Sequence, residues 1–101
     1  MAKQIIWSIR ARDDNHEILK YWLKRNKSNV YPRKLNKLFI EAIKLLAEYP
    51  IPRRLTDIND VYVKIIRDYK IFFKEDDKSI YIITIWDARQ DPNNLKDILE
   101  K

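Results

Sequence analysis

The last third of the chain leaves few folds open. Three apolar alternations run nearly end to end, Val61 to Ile66, Tyr69 to Lys74 and Ile80 to Trp86, separated by Arg67-Asp68 and by Glu75 to Ser79. Alternation at period two marks strands that turn one face to a core, and spacers this short close antiparallel hairpins. A three-stranded meander is therefore expected. It ends in the polar stretch Asp87-Ala88-Arg89-Gln90-Asp91, stopped by Pro92. Charged side chains leaving the end of a sheet stand ready to meet something outside the domain, so the tail is where function is sought first.

Upstream, Gln4 to Ile9 alternates as a first strand should. Asp13-Asp14-Asn15-His16-Glu17 offers an acidic helix start, with Asp14 and Glu17 at capping-box spacing. The helix it opens is expected to reach about Arg25 and to bury Ile18, Leu19, Trp22 and Leu23. Pro32 fits the first turn of a second helix ending near Tyr49, whose stripe is Leu35, Leu38, Phe39, Ala42, Ile43, Leu46 and Tyr49; Pro50 and Pro52 stop it. After Pro92, Asn93 or Asn94 is placed to cap a short terminal helix carrying Leu95, Ile98 and Leu99.

The order is β-α-α-β-β-β-α. A helical hairpin and a sheet each have one apolar face, and stacking them buries both. The expected fold is α+β: an N-terminal strand, an antiparallel helical hairpin packed on a mainly antiparallel four-stranded sheet, and a short C-terminal helix. Phe39, Ile43 and Leu46 should be buried against the sheet, and strand one should pair inside it rather than stand at an unpaired edge. At 101 residues the chain suits one domain, 1–101.

Composition removes several function classes. Glycine is absent, although an average near ~7% would supply about seven. Glycine-rich phosphate loops are therefore excluded, no cofactor is expected, and tight turns should fall to Asn and Asp, as at Asp76-Asp77. With no cysteine there is neither a disulfide nor a thiolate ligand. His16 is the only histidine and sits at a helix start, so a capping or surface role is expected, and nothing aligns it with Ser8, Ser28 or Ser79 for a triad. Asp13-Asp14 and Asp76-Asp77 read as a helix start and a turn, and no metal site is expected. The longest apolar run, Ile80 to Trp86, is too short to span a bilayer, and the start lacks a signal-peptide core, so a soluble cytoplasmic protein with no membrane partner is expected.

The net charge of +6 is uneven. Residues 1–56 carry 13 Lys and Arg against 5 Asp and Glu, or +8, and residues 57–101 carry 8 against 10, or −2. Such a basic excess attracts nucleic acid or an acidic protein, and a solvated lysine-rich helix face gives the same count. On the strands and tail the cations are Lys64, Arg67, Lys70, Lys74 and Arg89. Alternation groups Tyr62, Lys64 and Ile66 on one face, and sets Lys70, Phe72 and Lys74 against Tyr69, Ile71 and Phe73. Lys64 and Lys70 are expected to project to one surface, with Tyr62 beside them to stack on a base, unless that surface is simply a wet outer face. Arg89 either forks onto an external phosphate or carboxylate or pairs with Asp87 or Asp91.

In this order and length, the segments resemble a toxin of the RelE/ParE superfamily, the small partners in bacterial type II toxin–antitoxin pairs. The carriers are Ile5-Ile6-Trp7-Ser8, the helical hairpin, Tyr69-Lys70-Ile71-Phe72-Phe73 for the family's Tyr-Arg-aliphatic-aromatic strand, and Ile85-Trp86-Asp87-Ala88-Arg89-Gln90-Asp91-Pro92 for its closing strand and Arg-Asx-Pro tail. The resemblance implies a growth inhibitor held inactive by a cognate antitoxin, with operator DNA reached only through that antitoxin. RelE-like members are ribonucleases that cut messenger RNA on the ribosome; ParE-like members inhibit DNA gyrase without known catalysis. In the ribonuclease reading the catalytic residues would be Arg89, Lys70 and Lys64, with Tyr62 replacing a second lysine. Leu95 stands where those enzymes often carry a tyrosine or histidine general acid, which leaves the alkoxide without a proton donor. The ParE-like reading is therefore preferred, with the ribonuclease as alternative and a non-toxic relic acting as an interaction module as a third. The implied binding residues are Tyr62, Arg67, Lys70, Trp86, Asp87, Arg89 and Gln90.

Overall fold

Ser8 turns the first strand into the first helix. In the computed structural model, which describes residues 2–90 and 92–100, β1 (Gln4–Trp7) is followed at once by α1 (Ile9–Asn26). The Ser8 hydroxyl accepts from the Ala11 N–H at 2.9 Å and donates to the Ile83 carbonyl at 2.7 Å. The helix thus begins four residues before the expected acidic start, on a serine N-cap of the kind that contributes about 1 kcal/mol. Asp14 lies inside the helix and does different work: its carboxylate accepts from the Thr84 hydroxyl and, at 3.1 Å, from the Ile85 N–H. That contact ties α1 to the last strand, close to the point where the ladder shifts register.

The second helix, α2 (Val30–Glu48), has Pro32 in its first turn. Its stripe of Leu35, Phe39, Ile43 and Leu46 is buried against Tyr69, Ile71, Phe73, Ile80 and Ile82 of the sheet, as expected. Tyr49, placed at the end of that stripe by spacing, is exposed because the helix has already stopped. α1 packs less deeply, with only Ala11 fully buried, Ile18 and Trp22 half-buried, and Leu23 in solvent.

Beneath the helices lie β2 (Arg54–Leu55), β3 (Tyr62–Ile66), β4 (Tyr69–Glu75) and β5 (Ser79–Asp87). The sheet has five strands rather than four, in the order β1-β5-β4-β3-β2. The addition, β2, is two residues pairing antiparallel with β3, too short to carry a readable period. β1 pairs with β5 in parallel but takes the edge of the sheet rather than an interior place. The meander lays each strand beside the previous one, so β5 offers a single free side and β1 fills it.

The far face of the sheet is covered as well. Val61, Val63, Phe72 and Trp86 form a second buried cluster with Leu99 of α3 (Leu95–Leu99), flanked by Ile58, Ile83, Leu95 and Ile98. At the end of β4, Glu75 accepts from Arg53 Nε at 2.9 Å and from Lys3 Nζ at 2.8 Å, while Arg53 also donates to the Leu46 carbonyl at 2.6 Å. This network pins β1, β4 and the end of α2 together. It holds the Glu75 carboxyl below the usual glutamate range, the Arg53 hydrogen bond outweighing the opposing effect of burial.

Turns without glycine depart from expectation. The positive-φ residues among those described are Lys27 (51°), Asp60 (65°) and Arg67 (54°), two of them cations. Asp76 works through its side chain instead, accepting from the N–H groups of Lys78 and Ser79 at 2.9 and 2.8 Å, which stabilises the turn without a left-handed residue.

Candidate functional site

A two-residue hairpin fixes which cations can meet. Ile66 pairs with Tyr69, so Lys64 stands opposite Ile71 and Lys70 opposite Ile65. Directly opposed residues of an antiparallel ladder share a face. Ile71 belongs to the core under the helices. Lys64 is therefore on the helix side, near the sheet margin and exposed, whereas Lys70 pairs with Trp86 on the far side and is half-buried. The expected single surface bearing both lysines is corrected: they point to opposite faces.

The other sequence candidates also divide. Tyr62 is half-buried on the helix side with its ring 5.7 Å from that of Phe73, so it is packed rather than presented for stacking. Trp86 is buried in the far-face cluster. Arg67 is exposed at the β3–β4 turn. Asp87, the last residue of β5, forms one unit with Arg89 and Gln90 just beyond it. The Ala88 N–H donates to the Asp68 carbonyl at 2.8 Å and the Gln90 N–H to the Asp87 carbonyl at 3.0 Å, which folds the tail back against the β3–β4 turn.

Within that unit Arg89 closes on Asp87. Its Nε reaches Oδ1 at 3.0 Å and its Nη2 reaches Oδ2 at 2.9 Å, with the Arg89 N–H also on Oδ1 at 2.9 Å. The pair draws the Asp87 carboxyl below the ordinary aspartate range and raises the guanidinium pKa, each through the same hydrogen bonds. The alternative partner weighed from the sequence, Asp91, lies outside the described residues.

A cleft of about 350 Å³ opens beside this pair, lined in part by Asp14, Glu17, Tyr21, Tyr69, Arg89 and Gln90. At its base the Tyr69 hydroxyl accepts from Trp22 Nε1 at 2.7 Å. Burial pushes that hydroxyl above the ordinary tyrosine range, partly opposed by the Trp22 bond. The α1 contribution was missed from the sequence, although Asp14, Ile18 and Tyr21 at i, i+4 and i+7 mark one helical face. That spacing does not reveal which strand end the face meets. Three carboxylates, Asp14, Glu17 and Asp87, line the cleft with a single guanidinium, so the cleft itself does not favour phosphate. Among the described residues no group of three histidine, cysteine or carboxylate side chains is gathered to hold a metal.

Against this geometry the comparison with known families is decisive. A sequence model of the family described as "ParE toxin of type II toxin-antitoxin system, parDE" matches residues 5–92, from β1 through the tail. The chain belongs to the ParE toxin family. It is thus a toxin of a type II toxin–antitoxin system, within the RelE/ParE superfamily, and its partner is a cognate antitoxin. α3 lies beyond the matched stretch, whereas the Asp87–Arg89 pair lies inside it. Among solved structures, the chain is similar to the chromosomal ParDE system of P. aeruginosa, with a TM-score of 0.68 and 18% identity over 87% of this toxin and 98% of that chain. It is also similar to a mutant of the E. coli toxin RelE in the free state, with a TM-score of 0.52 and 20% identity over 99% of this toxin and 93% of that chain. At these identities the two structures share the toxin's fold. No curated protein matches the sequence. Among the described residues of the toxin, no helix is long and apolar enough to cross a membrane.

Proposed function

We propose that this toxin inhibits growth by binding DNA gyrase and does not itself catalyse a reaction. The observation that carries the reading is the division of the cations: Lys64 and Lys70 face opposite sides of the sheet, so the set Lys64, Lys70 and Arg89 that mRNA cleavage would need is not gathered round one phosphate. Leu95, at the position of a general acid in the ribonucleases, packs with the far-face cluster instead. The binding surface is the tail with the adjoining turn: Arg67, Asp87, Arg89 and Gln90, with Lys70 at its margin. Trp86, buried beside Lys70, supports that surface from within, and Tyr62, packed on Phe73 at the other end of β3, lies away from it. The toxin acts in the cytoplasm as one domain spanning residues 1–101. Its antitoxin covers the accessible margins of the sheet at Lys64 and Lys70 together with the tail, and reaches operator DNA on the toxin's behalf.

Induced expression with separate readouts of chromosome supercoiling and mRNA cleavage tests the proposal. Lost supercoiling with intact transcripts is expected, together with recovery of gyrase on a tagged toxin. Ribosome-dependent cuts in mRNA with unchanged supercoiling would replace this reading with the ribonuclease. For the antitoxin, affinity should fall with salt and on Lys64 or Lys70 substitution; a salt-independent affinity untouched by either change would remove the sheet from the interface.

A further inference from the structure

The tail leaves most of the positive charge unexplained. Residues 18–40, the end of α1, the connecting turn and the first half of α2, carry seven Lys and Arg and no Asp or Glu. All seven are exposed. Among the described residues Lys20, Lys24, Lys27, Arg33 and Lys34 make no ion pair. Lys37 approaches Glu41 only at 3.9 Å, and Arg25 lies 6.0 Å from the centre of the Trp22 ring.

Folding accounts for only part of this arrangement: Lys24 and Arg25 lie in the last turn of α1, where the helix dipole favours cations. Like charges crowded into one helical hairpin repel. Arg33 and Lys34 also stand near the N-terminal end of α2, where the helix dipole favours carboxylates, and its first turn contains none. At the α1 C-cap Lys27 holds φ at 51°, a conformation that costs a non-glycine residue about 1–2 kcal/mol. These costs fall at the α1–α2 turn and the helix ends it joins.

We propose that the tip of the α1–α2 hairpin binds the phosphodiester backbone of nucleic acid without reading sequence. The charge pattern selects this partner over an acidic protein. Residues 18–40 hold seven exposed cations and no carboxylate to set a register, which suits a uniformly charged polymer whose counterions are released on binding. Its cations all belong to α1, the connecting turn and α2, none of them to the tail, and its function does not depend on whether the tail acts on gyrase.

The test measures fluorescence anisotropy of the full chain with a duplex DNA of about 20 base pairs, a single-stranded RNA of equal length and polyglutamate, from about 50 to 200 mM salt. Binding to nucleic acid should weaken steeply with salt. In Lys24→Gln/Lys27→Gln/Lys34→Gln the affinity should fall at least about tenfold, and the log–log salt slope should shrink by about 2 to 3, near 0.9 per lost phosphate contact. The melting temperature should not fall, and Arg89→Ala should bind like the parent. Tighter binding to DNA or to RNA identifies the natural source and supports the proposal in either case. No binding at low salt, a salt slope unchanged in the triple variant, or polyglutamate held as tightly as both nucleic acids would overturn it.

Discussion

Two carboxylate–arginine pairs stand at opposite ends of the β4–β5 ladder, and the same chemistry does different work in each. At one end Glu75 joins Arg53 and Lys3, with side chains only 13 to 25% exposed, and the three residues come from separate segments of the chain. At the other end Asp87 and Arg89 are two residues apart, and the Arg89 side chain is 53% exposed. The Glu75 network closes long loops and satisfies the carbonyls at the end of α2. The Asp87–Arg89 pair closes nothing that the backbone has not already closed. A buried, long-range pair reads as scaffold; an exposed local pair is free to act as a site.

The largest effect should therefore come from Arg53→Ala. It strips Glu75 of its main partner and leaves the Leu46 and Ile51 carbonyls without their donor. A loss of about 2–4 kcal/mol is expected by denaturant unfolding, since removing one member of a part-buried pair leaves the other uncompensated. A loss below about 0.5 kcal/mol would place this pair in the same class as the tail.

The second effect is acid lability. The Glu75 carboxyl titrates below its usual value of 4.5, so the stability it contributes is fully present above that value and is lost as pH falls through the lowered pKa. Thermal melts from neutral pH down to about pH 3 should show a decline that Glu75→Gln flattens. An equally steep acid decline in that variant would assign the effect to other carboxylates.

How far this contrast could be read from the sequence depends on what fixes each feature. Stripes with one buried face were legible: Leu35 to Leu46 along α2, and the alternation of β3 to β5. The start of α1 was not, because the Ser8 hydroxyl gains its second partner, the Ile83 carbonyl, from 75 residues away. β2 carries no period at all. The opposition of Lys64 and Lys70 was available in principle, since a two-residue turn fixes which residues pair, yet alternation along each strand does not state how two strands are phased. Arg89 was legible as a candidate, whereas the α1 side of its cleft was not.

The third prediction separates site from scaffold at the tail. Arg89→Ala should abolish growth inhibition while changing stability by no more than about 0.5 kcal/mol, and Arg89→Lys should restore toxicity only in part, because an ammonium cannot supply the two-pronged donor. Full toxicity in Arg89→Ala at equal expression would move the site away from the tail. Toxicity lost together with a lowered melting temperature would make Arg89 scaffold like Arg53.

The smallest effect should come from Asp87→Asn. Asp87 occupies Nε and Nη2 of Arg89, and Nη1 makes no hydrogen bond among the described residues. The carboxylate thus holds the guanidinium plane in one orientation with an edge facing outward, which spares a partner the cost of ordering a long side chain. Asparagine retains one acceptor oxygen for the Arg89 N–H and the Nε but gives up the charge and the second prong. Stability should stay within about 0.5 kcal/mol of the parent, and target affinity should drop by only about three- to tenfold, the scale of one immobilised side chain. The direction carries the meaning. A variant that bound its target more tightly would show that Asp87 competes with the partner for Arg89 rather than aiming it.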